Sequence, residues 1–175
     1  LLLLNPDAMP ARGCVARGLA LMDGDPGVGL AGARLLADDG ATQPSARMFP
    51  TLRDEFFTLS GLAARHPRSR LFARLDRRWA DPDAPAQVDW IPGAFVFIPA
   101  AVWARLRGFD ERYFLYYEDV DLCARLRSAG LRVCQVAGCF VIHDARRQSH
   151  RKEKSVRPDP DGSEQRREPR SRQPQ

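Results

Sequence analysis

Apolar runs and helical repeats alternate along the first four fifths of the chain, in the manner of a mixed α/β domain. The uninterrupted apolar run at residues 1–4, stopped by Asn5-Pro6-Asp7, predicts a strand that is buried on both faces of a sheet. Apolar side chains at helical spacing predict a helix over residues 13–22. The glycine-punctuated run at 28–36 and its return at 41–49 predict a hairpin, because a tight-turn signal separates them.

The same alternation continues to residue 142. Apolar residues three and four apart predict helices, and short apolar runs bounded by turn residues predict strands. The predicted helices cover residues 52–62, 71–79, 99–107 and 118–130, and the predicted strands cover residues 95–98, 131–135 and 139–142.

The stretch Gly108–Gly130 sets several carboxylates beside aromatic residues. Contact with apolar groups removes hydration from a carboxylate, which raises its pKa and makes it a better base. Acids in the first turn of a helix also cap N–H groups and complement the helix dipole. Glu118, Asp119 and Asp121 therefore have two interpretations, catalytic and capping. The helical pattern places Asp119 on the rim of the buried face, where a general base in a cleft would lie.

Candidate chemistry occurs at three other places, each with a structural alternative. Asp7 follows a predicted strand, where open parallel sheets bind ligands, but it is also a common turn residue. His143 ends the last predicted strand, either as a metal ligand or as a structural histidine. Trp90 precedes a Pro-Gly turn and offers either a plane for a sugar or a core side chain.

One polar strand face is a further candidate. Gln43, Ser45 and Arg47 alternate along the second arm of the predicted hairpin and so project to one side. That side meets either polar groups of a ligand or solvent.

The net charge of +5 is concentrated at the carboxyl end. Residues 144–175 contain ten Lys or Arg against six Asp or Glu, and residues 1–143 contain seventeen against sixteen. The composition after residue 147, rich in Arg, Pro, Ser and Gln, cannot bury enough apolar surface to order itself. No aromatic residue is interleaved with the charges, so a disordered basic tail over 148–175 is favoured over nucleic-acid binding.

Cysteine usage and the apolar runs limit the cellular setting. The four cysteines form no C-x-x-C pair and fall mainly in apolar patterns, which predicts reduced core thiols in a reducing compartment. No apolar run approaches the ~20 residues of a membrane-spanning helix, and the first run lacks the charged flank and cleavage site of a signal peptide. The chain begins with leucine inside a predicted strand, so we expect a fragment.

Four segments together carry a family resemblance: LLLLNPD, PGVGLAGARLLADDGATQPSARMFPT, VDWIPGAFVFIPAAVWARLRGFDERYFLYYEDVDLCARLRSAGLRVCQV and VIHD. In this order they resemble the family 2 glycosyltransferases, inverting enzymes of the GT-A fold, and in particular the bacterial rhamnosyl- and galactofuranosyl-transferase-like branch. The resemblance implies an α/β fold class, the C-terminal part of a GT-A (Rossmann-like) nucleotide-diphospho-sugar transferase fold with a mixed sheet and flanking helices. It covers a partial domain over residues 1–147, truncated at its N-terminal half.

The resemblance implies a catalytic and a metal-binding set. Asp119 would be the general base of an inverting sugar transfer, with Glu118 in support. Asp7, in a variant of the D-x-D motif, and His143 would hold Mg²⁺ or Mn²⁺ against the diphosphate of the donor. Asn5, which replaces the first acid of that motif, would contact sugar or water.

Substrate contacts and partners are implied in the same way. Trp90, Gly93 and Ala94 would form the wall around donor sugar and acceptor, with Asp110 and Glu111 beside them. The donor would be a nucleotide-diphospho-sugar, and the acceptor a cell-wall, polysaccharide or polyprenyl-linked glycan. We expect a cytoplasmic protein that contacts the inner membrane peripherally and binds no nucleic acid. The alternative is a truncated, non-catalytic remnant or a binding module.

Overall fold

Short apolar segments assemble into one mixed sheet in the computed structural model, which describes residues 1–114 and 116–143. The strands are β1 (Leu2–Leu4), β2 (Ala8–Pro10), β3 (Val28–Leu36), β4 (Thr42–Gln43), β5 (Ala86–Val88), β6 (Phe95–Phe97) and β7 (Arg132–His143). They lie in the order β1-β6-β3-β7-β2, with β4 paired to β3 and β5 paired to β7. Only β3 and β7 run parallel among the pairings of these described strands.

Helices pack on both faces of this sheet. They are α1 (Cys14–Gly24), α2 (Leu52–Leu59), α3 (Leu62–Arg65), α4 (Ala100–Leu106) and α5 (Glu118–Ser128). Successive residues of a strand point to opposite faces. Accordingly, Phe95 and Phe97 join the apolar cluster under α1, whereas Val96 joins the cluster under α5. The mixed α/β architecture with flanking helices is as the resemblance implies.

The first apolar run forms a strand as predicted, but the prediction that it is buried on both faces is wrong. β1 pairs with β6 and lies at the end of the strand order, and Leu2 and Leu4 are exposed. A continuous apolar run indicates a strand without distinguishing a central position from an edge position, because that distinction depends on distant pairing.

Two further predictions change in detail. The strands predicted at 131–135 and 139–142 are one long strand, β7, which contains Gly138 at a φ of +60°. The helix predicted over 71–79 is a series of turns. The described cysteines are free thiols, and three of the four are buried, as predicted.

α1 confirms the helix predicted over 13–22 but buries a different face. Cys14 and Gly18 face the sheet, whereas Val15 and Leu19 are exposed. The absence of a side chain at Gly18 explains this choice, because any Cβ built there would overlap the ring of Phe97. Glycine therefore allows the helix to lie directly on β6.

We expect Gly18→Ala to destabilise the fold by about 1–3 kcal/mol, because the added methyl group overpacks the contact with Phe97. Gly24→Ala at the end of the same helix is the matched control. A Cβ there meets nothing within 4 Å, so that variant should be neutral or gain up to about 1 kcal/mol from helix propensity. Chemical denaturation measures both variants, and equal effects would contradict the packing argument.

The predicted tail over 148–175 lies outside the described residues, so the boundary at residue 147 stays a prediction. Among residues 1–114 and 116–143, no helix combines the length and the apolar content needed to cross a bilayer.

Candidate functional site

Several chain segments meet at the end of the sheet at which β3 and β7 terminate, which we call the carboxyl end of the sheet. Leu36 pairs with Ile142 near the carboxyl ends of these parallel strands. β6 runs antiparallel to β3, so its first residue, Phe95, lies toward the same end, and Leu4 at the end of β1 pairs with it. The residues that follow β1, precede β6 and end β7 therefore all lie at the carboxyl end of the sheet, where open sheets of this kind bind ligands.

Asp7 and His143 come together at this carboxyl end of the sheet. The pairing of β2 with β7 sets Ala8 opposite His143, and Nε2 of His143 lies 3.6 Å from Oδ1 of Asp7. Both side chains are mostly buried. Neither carboxylate oxygen and neither ring nitrogen has a hydrogen-bond partner within the described part of the chain. Buried polar groups are normally satisfied, so this pair has unused capacity to bind a ligand.

The donor types at this pair fit a divalent cation. A carboxylate oxygen suits Mg²⁺ or Mn²⁺, and an imidazole nitrogen is a common ligand of transition metals. The described residues contain no group of three or more His, Cys, Asp or Glu placed to hold an ion. A cation bound by Asp7 and His143 would therefore complete its shell with water or substrate oxygens, as Mg²⁺ often does beside phosphates.

A short series of backbone contacts runs from the carboxyl end of the sheet toward Asp119. The N–H of Asn5 donates to the carbonyl of Ala94 at 2.9 Å, and the N–H of Gly93 donates to Oδ2 of Asp119 at 3.3 Å. Because Gly93 and Ala94 are consecutive, one stretch of backbone contacts both the turn after β1 and the start of α5. The structure thus brings together four of the residues that the sequence singled out.

Asp119 is partly buried and both of its oxygens accept hydrogen bonds. Oδ1 accepts the N–H of Val120 at 2.8 Å, so the carboxylate does contact the first turn of its own helix. Burial raises the pKa of Asp119, and the neighbouring Glu118 raises it further, while the N–H groups of Val120 and Gly93 oppose the rise. An ionised carboxylate oxygen has a second lone pair, so capping and proton acceptance are compatible here.

A cavity of about 350 Å³ opens beside the two acids of the first turn of α5. Its lining includes Glu118, Asp119, Trp90, Arg47 and Glu55. Oε2 of Glu118 is buried and has no partner among the described residues. A larger cavity of about 500 Å³ is lined in part by Gln43 and Ser45 of the predicted polar strand face, but by none of the residues that the family resemblance implies. We therefore assign the site by its chemistry and not by its size.

Trp90 is held firmly in place beside this cavity. Its Nε1 donates to the carbonyl of Met48 at 3.1 Å, and the guanidinium of Arg47 lies over the ring at 4.7 Å from the ring centroid. One face of the indole is therefore occupied by a cation and is not free for sugar stacking. Arg47 belongs to the polar strand face noted in the sequence, and the structure places it at the cavity.

Asp110 and Glu111 are not brought to this cavity. The hydrogen bonds from Arg112 lower the pKa of Asp110 to about 2, and the shortest of them is 2.6 Å long. Glu111 is exposed. Their role beside the donor stays a prediction.

The backbone just before Asp119 is strained, which the sequence did not indicate. Tyr116 and Tyr117 have φ values of 65° and 67°, in the left-handed region that residues with side chains rarely adopt. Each such residue costs roughly 1–2 kcal/mol. Aromatic residues give no turn signal, so only the structure reveals this feature. Strain of this kind persists where the surroundings enforce it, often at functional sites.

Comparison with known proteins matches the family described as "Glycosyltransferase like family 2" to residues 47–158, which include the α5 acids, Trp90 and His143. The chain is 34% identical over 103 residues to the rhamnosyltransferase WbbL of Escherichia coli (strain K12), an alignment that covers 58% of this chain and 35% of the relative. It is 32% identical over 141 residues to the N-acetylglucosaminyl-diphospho-decaprenol L-rhamnosyltransferase of Mycobacterium tuberculosis (strain ATCC 25618 / H37Rv), covering 79% of this chain and 45% of the relative.

The chain thus spans less than half the length of the curated relatives it matches. No solved structure gives a significant match. The family match extends over more than half of the chain and includes the acids at the start of α5, the cavity beside them and the imidazole at the end of β7. On these grounds the chain belongs to the glycosyltransferase family 2-like proteins.

Proposed function

We propose that this chain carries the reaction centre of an inverting glycosyltransferase, which moves a sugar from a nucleotide-diphospho-sugar to a hydroxyl group of a glycan. The observation that carries the proposal is the partly buried Asp119, which contacts the backbone before β6 and borders a cavity. A carboxylate whose pKa is raised by burial is a suitable general base for an alcohol.

In the proposed reaction, the acceptor oxygen attacks the anomeric carbon from the side opposite the diphosphate. The new carbon–oxygen bond forms as the bond to the diphosphate oxygen breaks, and the electron pair leaves with the diphosphate. Asp119 takes the proton of the acceptor hydroxyl as the bond forms. A single displacement of this kind inverts the anomeric centre. Glu118 supports Asp119 and also raises its pKa through its negative charge.

Asp7 and His143 are the proposed ligands of Mg²⁺ or Mn²⁺ at the diphosphate. A divalent cation, when bound there, neutralises the negative charge that develops on the leaving diphosphate. The orphaned and mostly buried donors of this pair support the assignment. Asn5, Gly93 and Ala94 form the backbone that connects this pair to Asp119, and we assign them to the donor-sugar side of the site.

The names of the two relatives suggest a donor sugar and an acceptor class for this chain. Both are named as rhamnosyltransferases, and the mycobacterial relative is named for an acceptor of N-acetylglucosaminyl-diphospho-decaprenol. We therefore propose L-rhamnose as the sugar and a polyprenyl-linked diphosphoglycan as the acceptor class. Such an acceptor lies in a membrane, and we propose that the reaction takes place at the cytoplasmic face of the inner membrane.

The test uses the chain itself and a hybrid protein. In the hybrid, the matched 141 residues replace their counterpart in the mycobacterial relative. Each protein receives a radiolabelled nucleotide-diphospho-L-rhamnose and a polyprenyl-linked N-acetylglucosamine. We expect metal-dependent transfer with inversion at the anomeric carbon, which NMR of the product establishes. A hybrid that folds and binds donor without turnover would contradict the proposal and favour a non-catalytic binding module.

A further inference from the structure

The helix α2 turns its apolar side chains outward. Leu52, Phe56 and Leu59 are 91%, 61% and 86% exposed, whereas Asp54 of the same helix is 2% exposed. At about 100° per residue, the three apolar side chains fall within an arc of about 60°, and Asp54 lies on the opposite side. Helices of globular domains normally bury the apolar stripe, so this one is inverted.

The contacts of Asp54 fix this orientation. Its carboxylate accepts hydrogen bonds from the N–H and the hydroxyl of Thr51 and forms an ion pair with Arg74 at 2.7 Å. On the inner side of the helix, Phe57 packs edge-on against Phe72, with ring centroids 4.9 Å apart. Rolling the helix to bury its apolar stripe would separate a buried carboxylate from its cation, which is strongly unfavourable. The stripe is therefore held facing outward.

The chain segment that contains the stripe is basic. Between residues 51 and 71 the exposed charged side chains are four arginines and one glutamate, a net charge of +3. They are Arg53, Arg65, Arg68, Arg70 and Glu55. The one further acid in this range, Asp54, is buried and paired with Arg74. An apolar stripe in a segment rich in exposed arginines combines the two features of a surface that binds anionic lipid.

This basic apolar surface adjoins the cavity at Asp119. Glu55 of α2 and Tyr117 both line that cavity. Nearby in the chain, Phe114 is 98% exposed. Aromatic residues of this kind are enriched where proteins meet the interface between water and lipid. The cavity is thus lined both by α2 and by the exposed aromatic segment before α5.

We infer that α2 and its arginines dock the protein on a bilayer that contains anionic phospholipids, with the stripe of Leu52, Phe56 and Leu59 inserted at the level of the headgroups. A protein partner would cover the apolar stripe, but it would not by itself account for the exposed arginines of the same segment. The inference extends the proposed function, because docking would bring the cavity to a lipid-linked acceptor. Its test does not depend on transfer.

The experiment measures co-sedimentation of the full chain with phosphatidylcholine vesicles, prepared with and without phosphatidylglycerol. We expect binding only with the anionic lipid and weakening by salt. The triple variant Leu52→Ser/Phe56→Ser/Leu59→Ser should lose at least about tenfold in partitioning, because three apolar side chains no longer enter the interface. Replacing arginines 53, 65 and 68 by glutamine should weaken binding to the anionic vesicles about fivefold per residue.

The matched control is Met9→Ser/Val15→Ser/Leu19→Ser, which removes three apolar side chains that are also exposed but lie on β2 and α1. This control should bind vesicles as the parent does, and circular dichroism should show that every variant is folded.

Three results would overturn the inference. The first is that the parent chain does not bind anionic vesicles, and the second is that the α2 variant binds them as the parent does. The third is that the parent self-associates in sedimentation velocity and the α2 variant does not. Transfer to a water-soluble acceptor is assayed separately. A parent chain that transfers sugar to the water-soluble acceptor but does not bind anionic vesicles would reject docking by α2 without rejecting the transferase.

Discussion

Asp119→Asn is expected to reduce sugar transfer by about 10²–10⁴-fold, the usual contribution of a positioned general base, and to leave donor binding unchanged. Asparagine retains the shape of the side chain, and its single carbonyl oxygen keeps one of the two hydrogen bonds from the N–H groups of Gly93 and Val120, which are 3.3 and 2.8 Å from the carboxylate. It cannot accept the proton of the acceptor hydroxyl. The measurement compares turnover and donor affinity in the hybrid protein.

The control for this variant is Asp121→Asn. Asp121 lies in the same helical turn but pairs with Arg125 at 2.7 Å and does not line the cavity. It should cost little turnover. If Asp119→Asn retained turnover comparable to that of the parent, Asp119 would be excluded as the base and the capping interpretation alone would stand.

The assignment of Asp119 as the general base also predicts the direction in which the transfer rate changes with pH. A general base works only in its ionised form, and burial raises the pKa of Asp119 above that of a free aspartate. The transfer rate should therefore fall as the pH decreases through this raised pKa, at a higher pH than a solvent-exposed aspartate would give. A rate–pH profile measures this limb.

Removing either member of the Asp7–His143 pair is expected to weaken Mn²⁺ binding by at least about 10–100-fold, since even outer-shell partners of metals contribute that much. Asp7→Asn removes the negative charge, and His143→Gln removes the imidazole. Because the two groups lie 3.6 Å apart, the double variant should lose less than the sum of the two single losses in free energy. Calorimetric titration of the full chain with Mn²⁺ measures each affinity.

Asp39→Asn and His66→Gln provide controls of the same chemistry at exposed positions. They should bind Mn²⁺ as the parent does. If the Asp7 and His143 variants also retained the parent affinity, the pair would be a structural ion pair and the proposed metal assignment would fail.

Local patterns were enough to predict α5, the helix that carries Asp119. Helical spacing together with a terminal glycine predicted α5, and the position of Asp119 on the rim of its buried face agrees with the structure. These features depend on neighbouring residues, so periodicity captures them. The mixed sheet and its relation to a known fold came from the order of several motifs and not from any single one.

Features that depend on distant pairing could not be predicted in this way. The exposure of β1 reflects its place at the sheet edge, and the outward stripe of α2 reflects the ion pair between Asp54 and Arg74. The approach of Asp7 to His143 depends on the pairing of β2 with β7. Spacing alone gave no indication of this approach, and the family resemblance was the reason to expect both residues in one site.

The central claim is that the Asp7–His143 pair and Asp119 belong to one reaction centre. Mn²⁺ broadens the NMR signals of nuclei near it, so a titration of isotope-labelled full chain with Mn²⁺ and a nucleoside diphosphate tests this claim directly. We expect the signals of Asp7 and His143 to broaden first, followed by those of Gly93 and Asp119, while the exposed Arg65 stays sharp. Broadening at Asp7 and His143 that leaves Asp119 unaffected would contradict a shared centre.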